Sequence, residues 1–151
     1  MPKLAQQPPP GASRLACAGD ILVFSLHTPG GQAGSAFLRT NLGHADRRRE
    51  EIVAHTESNR PFLAADWHDI PMTPTAPGHF EVRVPVLQPG WFAAKTCFLP
   101  AGSQAPEWPE GENTRIKVIP AATACANTLY TAFVRQFTGD GRGTAPGHLQ
   151  G

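Results

Sequence analysis

The sequence predicts an all-β protein built as an antiparallel β-sandwich, and three observations carry that prediction. His79-Phe80-Glu81-Val82-Arg83-Val84-Pro85-Val86 alternates, with Phe80, Val82, Val84 and Val86 on one face and Glu81 and Arg83 on the other. This is the pattern of a half-buried antiparallel strand. Sixteen prolines and fifteen glycines in 151 residues interrupt regular structure often, which disfavours long helices. Several short β-rich runs are bounded by turn residues, the spacing expected of a sandwich.

Taken in order, residues 1–13 read as a flexible, Pro-rich leader. The sandwich is expected over residues 14–120. Its first strand is Asp20 to Leu26, apolar and flanked by Ala18-Gly19 and Pro29-Gly30-Gly31, and Ala36 to Thr40 is a second. The run from Asp46 to His55 offers a capping aspartate but only Ile52 and Val53 as a strong apolar face, so it reads as a short surface helix or an irregular excursion. After the alternating strand, Pro89-Gly90 carries the residues of a type II turn, which predicts a hairpin returning along Trp91 to Leu99. Thr114 to Pro120 is the last strand, and residues 121–126 form a small-residue linker.

Thirteen basic and twelve acidic side chains leave the chain nearly neutral, so nothing favours a nucleic acid or an anionic membrane as partner. A neutral polymer such as a sugar chain is compatible. Cys17, Cys97 and Cys125 cannot all pair and show no Cys-x-x-Cys spacing, which reads as reduced thiols in a cytoplasmic protein. The first ten residues lack the apolar stretch of a signal peptide.

Asn127 to Phe137 is apolar on nearly both faces, as strands covered by helices are, yet Gly-rich residues 138–151 follow it and read as a disordered tail. The chain therefore reads as cut off shortly after this strand. Tyr130, Phe133-Val134, Arg135 and Phe137 resemble the first barrel strand of the α-amylase superfamily of glycoside hydrolases, which would make residues 127–137 the start of a missing catalytic barrel in cis.

The middle of the chain resembles the immunoglobulin-like modules that precede such barrels, and more specifically the glycogen-binding type. The resemblance rests on Asp66-Trp67-His68-Asp69-Ile70-Pro71-Met72, on Phe80 to Gly90, on Trp91 to Phe98, and on Trp108 to Val118, in that order. It implies a non-catalytic N-terminal accessory module of an α-glucan-active enzyme of α-amylase or glycogen-debranching type. It also implies that Trp67, Lys95, Trp108 and Asn113 hold α-glucan, glycogen or starch; the absence of the Asn-rich or Trp-rich strands of a dedicated starch-binding platform makes the expected affinity weak. The chemistry suits the residue types, because C–H faces of glucose pack on indole planes while Lys and Asn supply donors and acceptors for hydroxyls. Read without the resemblance, the same four residues are a core or hairpin-packing Trp67, a Trp108 lid, a surface Lys95 on an edge strand and an Asn113 turn former. The alternative function is a stand-alone immunoglobulin-like protein-interaction domain without sugar binding. Residues 41–63, with Arg47-Arg48-Arg49-Glu50-Glu51, have no counterpart in the resemblance.

No catalytic residue, metal ligand or cofactor is expected. Asp66 with Asp69, and Glu110 with Glu112, are the only close acid pairs considered for glycoside hydrolysis, and they read as solvated surface acids. The six histidines show no metal-ligand spacing, and no glycine cluster matches a phosphate or dinucleotide loop.

Overall fold

The computed structural model describes residues 3–125 as an all-β sandwich of two sheets. The strands are β1 (Ala5–Gln7), β2 (Ser13–Cys17), β3 (Ile21–His27), β4 (Gly34–Thr40), β5 (His68–Pro71), β6 (Thr73–Ala76), β7 (His79–Pro85), β8 (Gly90–Pro100) and β9 (Thr114–Ile119), with helices α1 (Ala45–Ser58) and α2 (Ala121–Cys125). One sheet runs β1-β3-β7-β6 and the other β2-β9-β8-β4-β5. The expected barrel strand and tail at residues 127–151 lie outside the described residues.

Alternation builds the core. Along β8, Phe92, Ala94, Thr96 and Phe98 are buried, and along β9 Thr114, Ile116 and Val118 are, facing Phe24 and Leu26 of β3 and Phe80 and Val84 of β7. Their burial supplies the main driving force for closing the sandwich. Gly34 has no room for a side chain, since a Cβ there would lie 2.3 Å from the Leu99 carbonyl oxygen and 2.6 Å from the Phe98 ring.

Four sequence expectations need correction. Part of the expected leader is ordered: Ala5–Gln7 pairs with β3, and Gln6, 2% exposed, bridges to the opposite sheet by accepting from the Thr96 N–H at 2.8 Å and donating to Thr114 Oγ1 at 3.0 Å. A glutamine with both ends bonded anchors what its polar, Pro-rich surroundings would leave free. The expected hairpin at Pro89-Gly90 is a crossover instead, because β7 pairs with β3 and β6 while β8 pairs with β9 and β4. Turn residues reverse the chain without deciding which edge the next strand joins. The sandwich is also not wholly antiparallel, since β2 runs parallel to β9 from Ser13↔Arg115 to Cys17↔Ile119. Residues 121–125 of the expected linker form the short α2.

The excursion after β4 is the helix α1. Asp46 lies in its first turn without capping it, and His44 is the cap residue. The Gln88 side chain takes the capping role, accepting from Ala45 N–H at 3.0 Å and donating to Asp46 at 3.1 Å, which ties α1 to the crossover. None of α1 is fully buried, as its weak apolar face requires. No helix among the described residues is long and apolar enough to cross a membrane.

Candidate functional site

The outer face of the five-stranded sheet carries the site. Side chains alternate along β8, so burial of Phe92, Ala94, Thr96 and Phe98 turns Trp91, Ala93 and Lys95 outward. Lys95 stands opposite Arg39 of β4, and Arg39 stands opposite Asp69 of β5. Thus β8 is an interior strand of the sheet, and Lys95 does not lie on an edge strand.

Two loops bring the tryptophans over this floor. The loop after β8 is pinned back on its own strand by reciprocal backbone bonds between Phe98 and Glu107, at 2.9 and 2.7 Å. That return sets Trp108 over the Arg39 guanidinium, 5.3 Å from the ring centroid, a cation–π contact. Further along the loop, the Gly111 carbonyl accepts from Lys95 Nζ, which brings neighbouring Asn113 to the rim. Lys95 keeps further N–H donors beyond that bond.

Trp67 follows a tight turn in which its N–H donates to the Ala64 carbonyl at 3.1 Å. The turn is fixed from below by Asp66, which accepts from Asn41 Nδ2 at 3.1 Å, while Asn41 Oδ1 accepts from the Ala93 N–H at 2.8 Å. His44 Nδ1 donates to the Asp66 carbonyl at 2.7 Å. Asp66 is 4% exposed, so the expectation of a solvated acid is corrected: it is a buried brace, tolerable because it is hydrogen-bonded. The other acids of the two pairs are ion-paired and exposed, Asp69 with Arg39, Glu110 with Lys3 and Glu112 with Arg115.

The structure brings all four sequence-predicted residues together. Trp67, Lys95, Trp108 and Asn113 line one open cleft of about 590 Å³, with Arg39, Ala64, His68 and Asp69 completing it. That volume falls within the range of small-ligand sites, roughly 300–1,000 Å³. Trp108 is 37% exposed and absent from the buried core, and Trp67 is half-buried at the cleft wall. Sequence reasoning missed Arg39 and Asp69, whose bidentate pair at 2.8 Å joins residues 30 apart through strand register alone.

The Arg39 guanidinium beside Asp69 holds its carboxyl below the ordinary aspartate range, with burial opposing the shift. A depressed folded value means the pair stabilises the fold above the unfolded value near 3.8, and that contribution fades as pH falls through the lower folded value. Asp69→Asn should therefore lower the urea midpoint modestly at about pH 7, as exposed pairs are worth little. The difference from the native chain should vanish at strongly acid pH, and urea titrations at the two pH values check it. Burial pushes the Cys97 thiol up, as suits an unreactive side chain.

Among the described residues no group of three or more His, Cys, Asp or Glu side chains is placed to hold a metal ion. A separate depression of about 680 Å³, between residues 31–37 and 71–80, has neither a charged side chain nor an indole to offer a ligand.

No family model matches the sequence, and no curated protein matches it. Among solved structures, the one described as "Structural basis of T cell specificity and activation by the bacterial superantigen toxic shock syndrome toxin-1" is similar with a TM-score of 0.44 and 12% identity, over 77% of this chain and 98% of that chain. A likeness of that degree carries no argument.

Proposed function

We propose that this chain is a non-catalytic accessory module that binds α-glucan weakly in the cleft of Trp67, Lys95, Trp108 and Asn113, as a module of an α-amylase-type or glycogen-debranching enzyme. The observation that carries the reading is convergence. Four residues spread over residues 67–113, on a turn, a strand and a loop, line one surface cleft. Two indoles there offer planes for the apolar faces of glucose rings, and Lys95 and Asn113 supply donors and acceptors for hydroxyls. The Arg39–Asp69 pair braces the floor and fixes the Trp108 ring. Such a partly preformed site spends little of its binding energy on ordering side chains.

The same reading puts the module in the cytoplasm, supported by Cys17 and Cys97, which form no disulfide among the described residues. Titration with maltoheptaose, followed by NMR of the indole N–H resonances, tests the proposal. Saturable shifts are expected at Trp67 and Trp108, and Lys95→Ala or Asn113→Ala should each weaken binding by about two- to tenfold, the worth of a hydrogen bond. Absence of any saturable shift in the folded chain would leave the protein-interaction reading in its place.

A further inference from the structure

We infer that the glucan site continues past Trp67 into a second compartment that ends on Trp91, so that the module takes a longer glucan chain than the first cleft holds. The inference rests on the glucan reading of that cleft and concerns residues outside the four that define it.

Trp67 and Ala64 line both the first cleft and an adjoining one of about 620 Å³. The two clefts therefore share Trp67 as a common wall. The floor of the second compartment is β8 itself. Trp91, Ala93 and Lys95 share the outer face of this strand, and Trp91 and Lys95 are about 13 Å apart at a rise of ~3.3 Å per residue. Ala93 between them is small and lines the second compartment beside Trp91 and Arg115.

Trp91 is 64% exposed, and the Lys117 ammonium lies 4.9 Å from its ring centroid. One contact thus holds the indole while most of it stays open. Ile52 of α1 and Phe62 of the following loop are also exposed and line the same compartment. Exposed apolar side chains gathered in one groove mark a binding surface. Arg48 and Arg115 stand at its margin as donors for hydroxyls.

The wall is built by the excursion that has no counterpart in the resemblance. It is clasped on itself: Glu51 accepts from the Leu63 N–H, His55 Nδ1 donates to the Arg60 carbonyl at 2.7 Å, and the His55 ring lies 4.3 Å from that of Phe62. These contacts present Phe62 toward the compartment. Residues 41–63 thereby gain a role, as the wall that lengthens the site.

Calorimetric titration of maltotriose and of a linear maltodecaose, on the native chain and on Trp91→Ala, tests this. The native chain should bind the longer ligand at least about fivefold more tightly, the scale of one added stacking contact, and Trp91→Ala should remove that gain. Trp91 lies outside the core, and circular dichroism of the variant verifies its fold. Equal affinity of the native chain for both ligands overturns the inference while leaving the first cleft intact, and so does a length gain that survives in Trp91→Ala. Failure of both ligands to bind the native chain overturns the glucan reading and this extension together.

Discussion

Replacing Phe98 by alanine lowers the unfolding free energy by about 3–5 kcal/mol, the largest loss expected of any single substitution discussed. Phe98 is fully buried, and its ring meets Phe80 of the opposite sheet with centroids 5.8 Å apart. Truncation removes the aromatic pair and leaves a cavity between sheets that the rigid strands cannot close. The Phe98 backbone, which anchors Glu107 and hence the Trp108 loop, is untouched by the change. Urea denaturation of the two chains measures the difference. A loss under about 1 kcal/mol would mean that the interface between the sheets is not packed as described.

Gln6→Ala comes next. The glutamine accepts from Thr96 N–H and Thr96 Oγ1 at 2.8 and 2.9 Å, and donates to the Pro8 carbonyl and Thr114 Oγ1 at 2.9 and 3.0 Å. Truncation strips partners from groups on β8 and β9 that water cannot easily reach. Each group left unsatisfied costs about 1–3 kcal/mol, so the loss reaches several kcal/mol. Gln6→Glu should not rescue it, because both donations are lost and a charge is buried. Thermal unfolding of the three chains decides the matter, and a Gln6→Ala chain as stable as the native one would return residues 3–12 to the status of a loose leader.

Gln6 also shows where the sequence stops being legible. β3, β4, β7, β8 and β9 are visible because alternating or apolar runs announce them. β1, β2, β5 and β6 are short, polar or interrupted by proline, and exist because a neighbouring strand offers its edge. The Pro89-Gly90 hairpin fails for a related reason: local turn chemistry is the same whether the chain returns along its own sheet or crosses to the other. At the site, the order of weak motifs points to Trp67, Lys95, Trp108 and Asn113, four residues that line one cleft. It carries no trace of the register that pairs Arg39 with Asp69, nor of the brace that buries Asp66. The helical excursion can be read as a surface element, but its contribution to a groove depends on how the loop through Phe62 folds back.

In the glucan reading the two indoles of the cleft are ligand contacts and not scaffold. Affinity electrophoresis through gels with and without glycogen, comparing the native chain with Trp67→Ala and Trp108→Ala, tests it most directly. Glycogen should retard the native chain, and each variant, still folded, should lose most of that retardation. The expected cost is on the order of 1–3 kcal/mol per indole, by analogy with base–aromatic stacking. A native chain that runs equally in both gels, or variants that unfold without any change in binding by the folded fraction, would contradict it.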